Sequence, residues 1–214
     1  MSATNDTLDI ENCTVAYNLS QAALASAGIT VNKGTVNLKN SIVYGNVRGR
    51  KNNEAAGADI QVRPDGHLNM SYTLVTGLTS NYVGVVEGGT INLGPGVIAG
   101  VDPLLATTTN DFWRLFKSDT YHWYMNTAAA RDACAAMDVH PRTRTGYLLD
   151  GVLVCDPERV ESPTIDAGDP ASDYSKEPVV PNVGGHGHRV NLGFSGNTPE
   201  AALTKNRGTM LIMR

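Results

Sequence analysis

Four stretches of this chain can be laid over one another residue for residue: IENCTVAYN (10–18), LKNSIVYGN (38–46), MSYTLVTGL (70–78) and LGPGVIAGV (93–101). The columns hold upstream as well. Leu8, Val36, Leu68 and Ile91 stand 28, 32 and 23 residues apart, and Val15, Val43, Val75 and Ile98 repeat the same steps. A third set, GITV (28–31), DIQV (59–62) and YVGV (82–85), precedes the later blocks. Such self-similarity, with a drifting period and Gly/Asn turns between β-branched runs, predicts a solenoid whose coils stack while insertions bulge out as loops.

Each complete coil reads as three short strands. The middle one alternates cleanly: Val36 and Leu38, Leu68 and Met70, Ile91 and Leu93 point one way, with Asn37, Asn69 and Asn92 on the other face. A β-sandwich strand alternates in the same way. The constant offset of three columns at once argues against a sandwich, because hairpins do not repeat residue classes coil after coil. Like residues then stack roughly 4.8 Å apart, and the asparagines form a surface amide ladder. The expected fold is all-β: a right-handed parallel β-helix of about four coils over residues 1–105, followed by an irregular C-terminal region, 106–214, that caps the open end. Within that region NTAAARDACAAM (126–137) predicts a short helix, rich in alanine, with Asn126 or Thr127 to cap it.

Composition narrows the function classes. Hydrophobic residues make up 41% and charged residues 18% of 214, which suits a narrow aliphatic core under polar turns. A net charge of −4 without a long run of either sign argues against a nucleic-acid partner. No apolar stretch approaches the about 20 residues that cross a bilayer, and MSATNDTLDI has no apolar signal-peptide core. The chain enters a coil almost at once and reads as a piece of a longer protein. Cys13 sits in a small-residue column with Ser41 and Thr73, which predicts a buried free thiol; pairing of Cys134 with Cys155 stays open.

The segments SPTIDAGDPASDYSKEP (162–178) and RVNLGFSGNTPEAA (189–202) resemble the C-terminal ending of a group of exported bacterial parallel β-helix proteins. GVDPLL (100–105) and DFWRLFKSD (111–119) are similar to the stretch that links the last coil to that ending, and the coils resemble the pectate-lyase type of right-handed β-helix. The chain departs from the pattern at NVGGHGHR (182–189) and at Ser195, where the group carries an aromatic residue. The resemblance implies an extracellular or cell-surface protein that contacts polysaccharide. It does not fix the chemistry, because enzymes and adhesin-like proteins share the ending.

Four clusters are candidates for a site. Uronate lyase chemistry needs a cation beside a base and an acid, and Arg48, Arg50 and Lys51 in the loop 47–57, with Arg63 one strand later, form the best basic cluster. A glycosidase needs two carboxylates roughly 5–9.5 Å apart, but Glu11, Glu54, Asp59, Asp65 and Glu87 are sparse, and Asp59 and Glu87 do not share a column. Asp166, Asp169, Asp173 and Glu177 offer hard oxygens for Ca2+, with capping of turns as the plainer reading. His186 and His188 alternate as a metal pair would, without a third ligand in view. No nucleophile elbow and no phosphate-binding glycine loop is present. The expected function is a carbohydrate- or surface-contacting C-terminal segment without chemistry of its own. The alternative is the tail of a polysaccharide lyase or glycoside hydrolase whose site lies on upstream coils.

Overall fold

The computed structural model describes residues 6–20, 26–49, 55–57, 59–114, 116–118, 123–125 and 128–205. Taken turn by turn, the strands are β1 (Thr7–Glu11), β2 (Thr14–Ala16) and β3 (Leu19–Ser20), then β4 (Ile29–Val31), β5 (Gly34–Lys39), β6 (Ile42–Tyr44), β7 (Val47–Gly49) and β8 (Ala55–Gly57). Next come β9 (Ile60–Val62), β10 (Gly66–Ser71) and β11 (Leu74–Val75), and finally β12 (Val83–Val85), β13 (Thr90–Leu93) and β14 (Ile98–Ala99).

Every pairing between successive turns is parallel. A long-strand sheet has the order β1-β5-β10-β13, a second sheet β14-β11-β6-β2 and a third β12-β9-β4. The chain therefore visits the same sheets in the same order on every turn. Register follows the sequence columns: Leu8, Val36, Leu68 and Ile91 are successive partners, as are Val31, Val62 and Val85.

One expected column is wrong by a residue at its end. Val15, Val43 and Val75 are partners, but Val75 pairs with Ala99, and Ile98 pairs with Leu74. The turn Gly94–Val97 carries one residue more than its counterparts. Gly96, at φ +70°, makes room there for the Tyr72 ring, whose nearest atom would lie 2.2 Å from an added Cβ.

The corner from the long-strand sheet to the second sheet is a tight turn through a left-handed residue: Asn12, Asn40 and Tyr72, with φ between 44° and 52°. Two of the three are asparagine, whose short side chain tolerates that conformation best. Val31, Val36, Leu38, Val43, Ile60, Val62, Leu68, Met70, Val75 and Val83, drawn from all three parallel sheets, form one buried cluster.

A second buried cluster joins the second sheet to the C-terminal region. Ile42 and Leu74, neighbours in sequence of the inward Val43 and Val75, face the other side of their sheet and are buried against Leu105, Phe112 and Leu192. Tyr17 stacks on Phe112 with centroids 5.2 Å apart and donates its hydroxyl proton to the Thr107 carbonyl at 2.9 Å. The ending docks beside it. The Gly193 amide donates to Asn40 O at 2.8 Å, Phe194 N to Thr14 Oγ1 at 3.1 Å, and Asp169 N to Asn40 Oδ1 at 2.7 Å. These contacts run along the flank of the second sheet, and in the last turn Leu93 (51%) and Val85 (48%) are exposed.

The remaining elements are α1 (Thr109–Arg114), β15 (Phe116–Ser118), β16 (Trp123–Met125), α2 (Ala128–Ala135), β17 (Tyr147–Leu149), β18 (Val152–Val154), β19 (Gly184–Gly185) and β20 (Thr204–Lys205). The predicted helix is α2, while its expected caps, Asn126 and Thr127, lie outside the described residues. β17 and β18 form an antiparallel hairpin through Asp150 and Gly151, both at positive φ as a two-residue primed turn requires. No helix among the described residues is long and apolar enough to cross a membrane.

Candidate functional site

The outer face of the long-strand sheet is a regular polar surface. β5 and β10 bury alternate residues, so Thr35, Asn37 and Lys39 face outward beside His67, Asn69 and Ser71. The expected amide ladder forms. Asn37 Nδ2 donates to Asp9 Oδ1 at 2.7 Å, Asn69 Nδ2 to Asn37 Oδ1 at 2.8 Å, and Asn92 Nδ2 to Asn69 Oδ1 at 2.9 Å. An ionised carboxylate only accepts, so Asp9 fixes the direction of the whole row: each amide nitrogen points toward it. Beside the ladder, His67 Nδ1 and Thr90 Oγ1 share a hydrogen bond at 2.7 Å.

Along the flank of the row, Lys39 Nζ lies 3.2 Å from both Glu11 and Asp169. Burial works against the Lys39 charge, but the hydrogen bonds to Glu11 and Asp169 outweigh it and raise the pKa. A shallow groove of about 360 Å³ runs past Asn37, Asn69 and Asn92. Each interior ladder amide spends one N–H and one lone pair on its neighbours and keeps one of each for a ligand. Rows of paired donors and acceptors at roughly 4.8 Å spacing suit a ligand rich in hydroxyl groups.

The basic cluster falls largely outside what the described residues show. Arg48 lies on β7, whose strand pairs with β3 and β8, and Arg63 lies in the turn between β9 and β10, where its amide donates to Val31 O at 2.8 Å. Arg50 and Lys51 lie outside the described residues.

The acidic residues of the ending are occupied in turns. Asp166 accepts from Gly187 N at 3.1 Å and from Thr204 Oγ1 at 2.6 Å. Asp169 accepts from Ala171 N at 2.9 Å, and Asp173 from Ser175 N at 2.9 Å. These backbone bonds come first among the causes that hold both carboxyls below their ordinary value. The His186 and His188 rings lie 5.5 Å apart and both contact Tyr174. Among the described residues no three His, Cys, Asp or Glu side chains are grouped to hold a metal. All three cysteines are free: Cys13 and Cys134 are half-buried and Cys155 is exposed.

Glu177 behaves differently. It is buried, accepts from Asn191 N at 2.8 Å and Asn197 N at 3.1 Å through Oε1, and has Oε2 buried without a partner among the described residues. Burial pushes its pKa up from 4.5 despite those two bonds. A raised folded pKa lends stability that is complete below the unfolded value and is lost as pH rises through the folded one. Glu177→Gln keeps the accepting oxygen and removes the titration. The melting temperature of the variant relative to the wild type is therefore expected to climb steadily from pH 4 to pH 7, and a constant difference would contradict the assignment.

A polar cluster that sequence reasoning missed ties the ending to the preceding segment. Asp138 Oδ1 accepts from His140 Nδ1 and Oδ2 from the Tyr147 hydroxyl, both at 2.7 Å. The His140 ring stacks on Tyr147 at 4.4 Å, meets Phe194 edge-on at 4.7 Å, and has Nε2 3.5 Å from Glu200. Burial alone would push Asp138 up, but the bonds from His140 and Tyr147 bring its pKa to about 2. A cleft of about 350 Å³ beside it is lined by Asp138, Tyr147, Arg142 and Asp156. Both Asp138 oxygens are bonded, and burial and Asp138 push Tyr147 well above its ordinary value. The cluster acts as a tie.

No protein-family model, no curated protein and no solved structure matches the chain.

Proposed function

We propose that this chain is a right-handed parallel β-helix segment of an exported bacterial protein, and that it contacts polysaccharide or a cell-surface glycan without chemistry of its own. Support for the helix comes from the constant order in which the chain visits three parallel sheets and from the strong right-handed preference of such crossovers. One observation carries the binding reading: the unbroken row Asp9, Asn37, Asn69 and Asn92 on the outer face of a parallel sheet. Sugar hydroxyls donate and accept at once, as the spare capacity of a ladder amide does. The row also brings few net charges, which favours neutral or weakly acidic glycans over dense polyanions.

Electrophoresis through gels containing neutral or uronate polysaccharides tests this. A neutral β-linked polysaccharide is expected to retard the wild type, with little effect of salt. Asn69→Ala removes the middle rung, and each lost hydrogen bond of about 1 kcal/mol weakens binding about fivefold. Unaltered binding by Asn69→Ala would remove the ladder from the proposal. Retardation confined to uronates, abolished by salt and by Arg48→Ala, would move the contact to the basic loop. Ultraviolet absorbance of unsaturated uronates, growing with time, would establish a lyase instead.

A further inference from the structure

The last turn of the stack is unfinished in a directional way. Its three strands stay in register with the turn beneath, and β13 is the outermost strand of its sheet, its far edge paired with no strand among the described residues. The core columns run through this end and remain uncovered: Leu93 is 51% exposed, where Leu38 and Met70 in the same column are 1%. Val85 is 48% exposed, where Val62 is fully buried. Ladder polarity adds the deciding detail. Because every amide nitrogen points toward Asp9, the row ends at β13 with the Asn92 carbonyl oxygen facing outward. Whatever pairs with β13 must bring a donor to that rung and apolar residues on either side of it.

We infer that β13 is a docking edge for a parallel β-strand of a partner protein with an apolar–Asn–apolar core, the pattern of β5 and β10. A second copy of this chain does not fit. Its own outermost strand, β1, has the matching apolar pair Leu8 and Ile10, but it would set the Asp9 carboxylate, an acceptor, against the Asn92 oxygen. Strand addition of this kind takes its affinity from main-chain hydrogen bonds and its specificity from alternate side chains. This inference is independent of glycan binding, since it concerns the edge of the sheet rather than its face.

The test uses the isotope-labelled chain and two hexapeptides: GTVNLK, the sequence of β5, and its counterpart carrying Asn37→Asp. Titration with GTVNLK into the millimolar range is expected to shift the amide resonances of Thr90–Leu93 and the Asn92 side-chain amide. At neutral pH the aspartate peptide is expected to bind about tenfold more weakly, because an acceptor then faces an acceptor. Leu93→Glu is expected to abolish the response to GTVNLK while leaving the rest of the spectrum in place. Equal binding of the two peptides, or no movement at Thr90–Leu93 with GTVNLK, would overturn the inference. Self-association of the unmodified chain that Leu93→Glu removes would assign the edge to a second copy and overturn it as well.

Discussion

Val75→Asp is expected to abolish cooperative folding. Val75 is fully buried, with Val43 and Ala99 as its partners in the turns on either side. Its surroundings are the hydrophobic inner cluster. Placing an unpaired charge there costs several kcal/mol, about 5 or more, out of a total stability of about 5–15 kcal/mol for a typical domain. Val75→Ala keeps the site apolar and is expected to cost about 2 kcal/mol, with a lower but still cooperative melt. Circular dichroism melts of the pair check both halves, and a folded, cooperatively melting Val75→Asp would place the side chain outside the core.

Asp59→Ala is expected to be the second most damaging change, for the opposite reason. Asp59 is fully buried and is itself the acceptor around which a corner is built. Oδ1 accepts from Asn46 Nδ2 at 3.0 Å and from Asn46 N at 3.3 Å, and Oδ2 accepts from Thr76 N at 2.8 Å. Asn46 Oδ1 in turn takes the Asn18 amide at 2.8 Å, so one carboxylate organises groups from successive turns. Removing it strands three donors, each costing about 1–3 kcal/mol when buried, less where water reaches Thr76. The expected loss is about 3–5 kcal/mol by denaturant titration. Burial dominates the Asp59 carboxyl and raises its pKa against those hydrogen bonds. Its stability contribution is thus largest in acid and declines as pH rises through the raised value, so the deficit of Asp59→Ala is expected to be greater at pH 4 than at pH 7. A deficit below about 1 kcal/mol, the size of a single ordinary hydrogen bond, would show that the corner does not depend on this carboxylate.

The strand columns were legible because stacking imposes the same environment on the same position of each turn, and the asparagine row was legible for the same reason. What failed was counting turn residues: GPG reads as a turn, but residue class does not reveal that it carries one residue more than Asn40–Ser41 or Tyr72–Thr73. A second signal was present and missed. SIVY, TLVT and GVIA have consecutive apolar residues, the mark of a strand buried on both faces. That pattern places Ile42, Leu74 and Ile98 under a cover on the flank of the stack, which is where Phe112, Leu105 and Leu192 lie. The Asp-Gly pair at 150–151 between apolar runs is likewise a hairpin signal inside a stretch that reads as irregular. The tie of Asp138, His140, Tyr147 and Glu200 had no such signal, since its members are up to 62 residues apart in a region without periodicity.

The parallel, in-register stack underlies both the amide ladder and the docking edge, and methyl-resolved nuclear Overhauser contacts test it most directly. The expected pattern is a chain of contacts from Val36 to Leu68 to Ile91, with Ile98 contacting Leu74. Antiparallel Hα–Hα contacts between consecutive strands such as β5 and β6, with Val36 and Leu68 far apart, would mean a hairpin-built sandwich and would contradict the account.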